Sequence, residues 1–239
     1  MKNTNKRNEW QVVLEFWFPE GNSLDIDADV HRSHWSWRMR GGADDEITAR
    51  FAELTVEGAA GNLDHWASDP EGRLALIIVL DQFSRSVWRG NAHAFAQDKA
   101  ALALAMNGLL NGHYAALSTP WFKVVHGLPL GHCEGPDHLQ RLDLLIGLRE
   151  EIAAEAPTHL QPIYRSLVKQ ALDVNQPPYV SSASSDKLCT AISNSMIACS
   201  AAASFIATIR SCRPAITKNA LSTSSECRTS AARCSPLGP

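Results

Sequence analysis

The chain has 239 residues, of which 45% are apolar and 20% charged, with a formal net charge of −3 and a sequence pI of about 6.3. That is the composition of an ordinary globular protein with enough chain to bury a core, and it excludes disordered and collagenous classes. The balanced charge lacks the clustered Lys and Arg that neutralise phosphates, so a nucleic-acid partner is not expected. The longest strongly apolar run, Leu74 to Leu80, is far short of the ~20 residues that cross a bilayer, so neither is a membrane partner. The basic start of the chain leads into no apolar signal core, and a cytoplasmic location is expected.

In chain order, Trp10, Val13, Leu14 and Trp17 recur at helical spacing, and Pro19 ends that helix. Asp44 or Asp45 is expected to cap a second helix with Ile47, Phe51 and Leu54 on one stripe and Gly58 and Gly61 beyond it. Asp69-Pro70-Glu71 reads as a cap, a first-turn proline and a first-turn acid ahead of Leu74 to Leu80, a helix apolar all round and therefore central and buried. Asn91 is expected to cap one long helix from Ala92 to Leu110, with Phe95, Leu102 and Met106 inward. Thr119-Pro120 opens another that Pro129 should not continue. Two more are expected from Asp137 to Ala154, through Leu139, Leu142, Leu145 and Ile146, and from Thr158 to about Val174, through Ile163, Tyr164, Leu167 and Ala171. About seven antiparallel helices and no convincing strand set make the body, residues 1–179, all-α. No repeat of fixed period is present, so any helical-repeat architecture would be irregular.

Three polar groupings stand out. Asp81, Gln82 and Arg85 end the most apolar helix, where a buried aspartate needs a partner. Asp81 and Arg85, four residues apart, can form an internal ion pair or a helix-end cap, or hold a carboxylate at the mouth of a pocket. Asp98, among Phe95, Leu102 and alanines, invites the same question. The loop Gly131-His132-Cys133-Glu134-Gly135 carries the H-x-E spacing of zinc deaminases without the P-C-x-x-C that completes the site, and the outline of a nucleophile elbow without the parallel sheet it requires. Convergence of His132, Glu134 and His138 on a metal would need further ligands, so no metal and no cofactor are expected. The plainer alternative makes Glu134 and Asp137 complements to the next helix N-terminus, with His132 bonded to a buried carboxylate. Among the aromatics, Trp17, Trp66 and Trp88 read as core, whereas Trp35 and Trp37, beside His31 and His34, read as a pocket edge.

Val12 to Phe18, then Gly61-Asn62-Leu63-Asp64-His65-Trp66-Ala67, then Arg73 to Arg85 with its Leu-Asp-Gln-Phe-x-Arg core, together resemble the bacterial DUF924 family. Arg89-Gly90, Ala94-Phe95-Ala96 with Asp98, and Gly-His-Cys-Glu with Gln140 follow the same pattern, with serine more usual at Cys133. The resemblance runs from about Val12 to about Val174. It implies a tetratricopeptide-like helical fold and brings no established biochemical function.

Residues 180–239 depart from this. They hold 14 Ser and 11 Ala with six basic and two acidic side chains, so the body carries −7 and the tail +4. Five of the six cysteines fall there without metal-knuckle or disulfide-framework spacing. Family members continue with a helix ending in Phe-Gly-Arg-Phe-Pro-His-Arg-Asn. Codons begun at the last base of the preceding one permit Phe-Gly-Arg from Cys199 to Ala202 and His-Arg-Asn from Phe205 to Thr208. The tail is therefore expected to be a poorly ordered extension or an out-of-frame product, leaving an apolar strip uncovered near Val174. The function expected of the body is that of a binding module for a small molecule or peptide, with Asp81, Gln82, Arg85, Asp98, His132, Glu134 and Gln140 at its pocket. The alternatives are a hydrolase-like enzyme using His132 with a carboxylate, and an interaction scaffold without a pocket.

Overall fold

The computed structural model describes residues 8–175. The expectations for residues 180–239 lie outside the described residues. Within these bounds the chain forms α1 (Gln11–Trp17), α2 (Ala28–Met39), α3 (Asp44–Ala59), a 3-10 segment (Asp64–Ser68), α4 (Pro70–Ile77), a π turn (Ile78–Phe83), α5 (Ser84–Val87), a second 3-10 segment (Ala92–Phe95), α6 (Asp98–Leu110), α7 (His113–Ala116), α8 (Pro120–His132), α9 (His138–Glu155) and α10 (Gln161–Asn175). No strand occurs among the described residues, and the fold is all-α.

The core is built around α4, as its composition requires. Leu74, Ala75, Leu76, Ile77, Ile78 and Val79 are all 0% exposed. Asp69 starts this helix by accepting from the backbone N–H of Glu71 and Gly72 at 2.9 and 3.0 Å, with Pro70 in the first turn. α3, α6, α8 and α1 pack around α4 and its π turn, while α8, α9 and α10 pack in sequence, joined by the short loops 133–137 and 156–160. The π turn and the two 3-10 segments interrupt any uniform helix-pair repeat between residues 64 and 97.

Several elements depart from expectation, each for a physical reason. α2 has no apolar stripe: its buried residues are His31 and Arg38, so hydrophobic periodicity gives no sign of it. Asp27 caps it through the N–H of Asp29 and Val30. Neither Asp44 nor Asp45 caps α3. Ala43 occupies that position, and the Asp44 carboxylate instead accepts from Ser86 Oγ at 2.6 Å and pairs with Arg89.

The single helix expected over 92–110 is two elements. Asn91 bonds the N–H of His93, the chain turns at Ala96-Gln97, and Phe95 is 61% exposed rather than inward. Its ring carries the Arg85 guanidinium at 5.0 Å. Pro129 lies inside α8, since proline removes one hydrogen bond but not the helix when its neighbours Val125 and Leu130 are fully buried. Leu139, expected inward, is 63% exposed, while Leu142, Leu145 and Ile146 are buried as expected. Trp88, expected in the core, is only half-buried.

Candidate functional site

The most apolar helix of the chain ends in a charged cluster. Asp81 is 1% exposed and lies within the π turn, in which one extra residue is accommodated and the side chains beyond it are re-aimed. His132 is the last residue of α8. Its Nδ1 lies 2.9 Å from Asp81 Oδ1 and 2.8 Å from Oδ2. Gln82 Nε2 donates to Oδ2 at 2.5 Å and Arg85 Nη2 to Oδ1 at 3.2 Å. The same Arg85 nitrogen donates to Asp98 Oδ1 at 2.9 Å, so one guanidinium joins the π turn to the start of α6.

The electrostatics follow from this geometry. Burial opposes ionisation of Asp81, but the hydrogen bond and charge of His132, with Arg85 and Gln82, outweigh it and hold the carboxyl below its ordinary value. Burial raises Asp98 above its ordinary value, with Arg85 opposing and Asp81 reinforcing the rise. An ionised carboxylate only accepts, so the His132 proton on this side sits on Nδ1, and in the neutral ring Nε2 keeps its lone pair. The His132 side chain is 35% exposed.

Position of the ring is set from behind. The carbonyl of Cys133 accepts from His138 Nδ1 at 3.1 Å and from Arg141, and Arg141 also pairs with Asp137. His138 and Asp137 therefore fasten the loop to α9. Cys133 is buried, and its Sγ donates to the carbonyl of Glu134 at 3.6 Å. Of the residues singled out in the sequence, Asp81, Gln82, Arg85, Asp98 and His132 share one network. Glu134 and Gln140 do not join it: both are exposed, one in the α8–α9 loop and the other in the first turn of α9. Beside the network, Arg85, Arg89, Gly90, Asn91, Ala94 and Phe95 bound a cleft of about 520 Å³.

Two further buried polar groups carry no signal in hydrophobic periodicity. Glu20, just after Pro19, accepts both Arg38 Nη atoms at 2.8 Å and faces His31 Nδ1 at 3.3 Å and His34 Nδ1 at 3.4 Å. His31 Nε2 meets Tyr164 Oη of α10 at 3.0 Å. Burial would raise the Glu20 carboxyl, but His31 and Arg38 prevail and bring it down to about 2. The spacing of His31, His34 and Arg38, a polar stripe of helical period, was the signal available for this cluster. The second group lies between α6 and α8. His126 is 0% exposed and neither ring nitrogen has a hydrogen-bond partner among the described residues. Arg73 nearby donates to His113 Nδ1 at 3.1 Å and to the carbonyls of Leu104 and Ala67 at 3.2 and 2.7 Å. No group of three or more His, Cys, Asp or Glu suited to a metal occurs among the described residues.

An all-α body with a buried carboxylate holding a half-exposed histidine is thus the class that fold and site define. The sequence profile of DUF924, described as a bacterial protein of unknown function, matches residues 13–178, and the chain belongs to this family. No curated protein matches it. Among solved structures it is similar to a protein of unknown function from Agrobacterium tumefaciens, with 25% identity and a TM-score of 0.46 over 67% of this chain and 82% of that one. No helix among the described residues is long and apolar enough to cross a membrane.

Proposed function

We propose that the protein is a cytoplasmic binding module that takes a small molecule or short peptide at His132, with Arg85 and Asp98 as neighbouring polar contacts. One observation carries the reading: a fully buried carboxylate faces His132 Nδ1 through both oxygens at 2.8 and 2.9 Å. A buried carboxylate among aliphatic side chains costs several kcal/mol unless it is well partnered, and here it fixes the ring of a side chain that is 35% exposed. A preorganised acceptor at the rim of an apolar body is what oriented ligand recognition requires. Glu134 and Gln140 are not part of the proposed contact set, because they stand outside the network.

The test is a titration of amino acids, dipeptides, short carboxylic acids and inorganic phosphate, followed by the imidazole C–H resonances of His132. Saturable shifts with at least one class, lost in a folded His132→Ala variant, are expected. An unmoved His132 across the panel would contradict the proposal.

The enzymatic reading is favoured by the same pair, since a carboxylate on Nδ1 with Nε2 free is the arrangement of a histidine general base. Hydrolysis of an activated ester such as p-nitrophenyl acetate separates the two. Turnover that vanishes in His132→Ala supports catalysis, and ester cleavage equal in both proteins supports binding alone.

A further inference from the structure

A cleft of about 840 Å³ opens between α2 and α10, and shares no residue with the Asp81 network. The two helices touch through His31 and Tyr164, whose Nε2 and Oη lie 3.0 Å apart. Along the cleft α2 presents Ser33, Ser36 and Arg40, and α10 presents Ser166 and Gln170. These positions recur at three and four residues, so each helix turns one stripe to the cleft. Short hydroxyl side chains do not fill the space between two helices, and a trough is left.

Between the polar stripes the lining is apolar. Ile163 and Leu167 are buried, and Trp35 and Met39 pack half-buried against the same core. The Arg38 guanidinium lies 5.4 Å from the Trp35 ring centroid, and Arg38 is itself held by both oxygens of Glu20. Trp35 is therefore a fixed aromatic wall, while the unbranched thioether of Met39 can adapt to what lies against it.

Three charged residues border the cleft, and Asp29 is the sole carboxylate among them. It accepts from Arg32 Nη1 at 2.5 Å, so these two cancel. Arg40 is exposed, and its guanidinium has no hydrogen-bond or ion-pair partner among the described residues. A guanidinium is a rigid fork that matches a carboxylate through two parallel hydrogen bonds. Ser36 and Ser33, one and two turns before Arg40, add hydroxyl donors. Residues 180–239 carry six basic and two acidic side chains, so charge does not favour that segment as the occupant. An unpaired guanidinium beside an apolar trough of this volume suits a small ligand with one anionic end. We propose that the cleft between α2 and α10 binds a small amphiphilic carboxylate, an aryl- or alkyl-substituted alkanoate, with its carboxylate on Arg40 and its apolar part against Trp35 and Met39.

The probe is 3-phenylpropionate, with 3-phenylpropanol as its neutral counterpart and 3-phenylpropylammonium as its cationic one. Each is titrated into the full chain while the indole N–H resonance of Trp35 and the methyl resonance of Met39 are followed. The carboxylate is expected to shift both saturably and to bind about fivefold more tightly than the alcohol, with the ammonium weaker still. Arg40→Gln, an exposed change, should bring the carboxylate down to the affinity of the alcohol and leave the alcohol unchanged. Met39→Ala should weaken both, with circular dichroism melts confirming that each variant is folded. Equal affinity for the carboxylate and the alcohol, tighter binding of the ammonium, or a carboxylate affinity unmoved by Arg40→Gln would each overturn the proposal. So would unmoved Trp35 and Met39 resonances at ten millimolar 3-phenylpropionate, the result expected if residues 180–239 or a second copy of the chain cover the cleft.

Discussion

Replacing Asp81 by alanine leaves the His132 Nδ1–H and an Arg85 N–H facing a void at the end of the core. Both groups lose a charge-assisted partner, and the variant is expected to be less stable by about 2–4 kcal/mol in urea denaturation. A midpoint equal to wild type would show that Asp81 is not a keystone of this end of the fold. His126 makes the opposite point, because no hydrogen-bond partner among the described residues satisfies its ring nitrogens. Burial, with the nearby Arg73 and His113, lowers its folded-state value to about 3 from the ordinary 6.5. A histidine with a depressed folded value binds its proton more readily unfolded, so its contribution to stability is full above about pH 6.5 and is lost as pH falls toward 3. Substitution by leucine should therefore flatten the acid limb of the stability profile across that window by on the order of 1 kcal/mol per pH unit. An acid limb unchanged in His126→Leu would mean that carboxylates alone govern it. At this scale the sequence was readable where a residue broke its own pattern. Asp81 stood out as one carboxylate ending an apolar run. Glu20 did not, being an ordinary-looking acid after a proline whose partners lie 11 to 18 positions away. Glu134 looked functional through its neighbours alone, and solvent is its environment.

At the scale of elements, α2 is joined to α1 and α10 by polar chemistry rather than by an apolar stripe of its own. Arg38 donates to the carbonyl of Trp17 at 3.0 Å as well as to Glu20, and its guanidinium lies 5.3 Å from the Phe18 centroid and 5.4 Å from that of Trp35. Truncating Glu20 to alanine leaves a buried guanidinium unpaired, and a loss of about 3–5 kcal/mol is expected. A denaturation midpoint within error of wild type would contradict this account of α2. The need for a buried polar seam also explains why α2 escaped a reading that looks for apolar periodicity. Elements whose ends carry their own chemistry were legible: Asp69-Pro70 and Thr119-Pro120 cap α4 and α8 as expected. The break between Phe95 and Asp98 was not, because Ala92 to Leu110 reads as one run of good helix formers. Its turn depends on a tertiary contact, the reach of Arg85 to Asp98. The close approach of α6 to α8 was hidden for a similar reason, since it rests on Gly108, where any Cβ would overlap the His126 ring. The π turn leaves no trace in composition either, and it is what turns Asp81 toward α8.

For the whole molecule, the all-α class and the central position of Leu74 to Leu80 follow from composition and from the absence of alternating segments. The site does not follow in the same way. Asp81 and His132 are 51 positions apart, and only the packing of α8 against the π turn brings them together. The fold closes on aliphatic and aromatic side chains, so dialysis against a chelator is expected to leave the helical circular dichroism unchanged. A cooperative loss of helicity on chelation would show that a metal ion helps to hold the chain together. The central claim is that the buried Asp81 fixes the His132 ring with its proton on Nδ1 and leaves Nε2 as the acceptor. Long-range proton–nitrogen correlation of the histidine side chains, at a pH where the His132 ring is neutral, tests this directly. The account predicts that His132 carries its proton on Nδ1 in the wild type and shifts toward the Nε2-protonated form in Asp81→Asn. A wild-type ring protonated on Nε2, or a tautomer unmoved by the substitution, would contradict it.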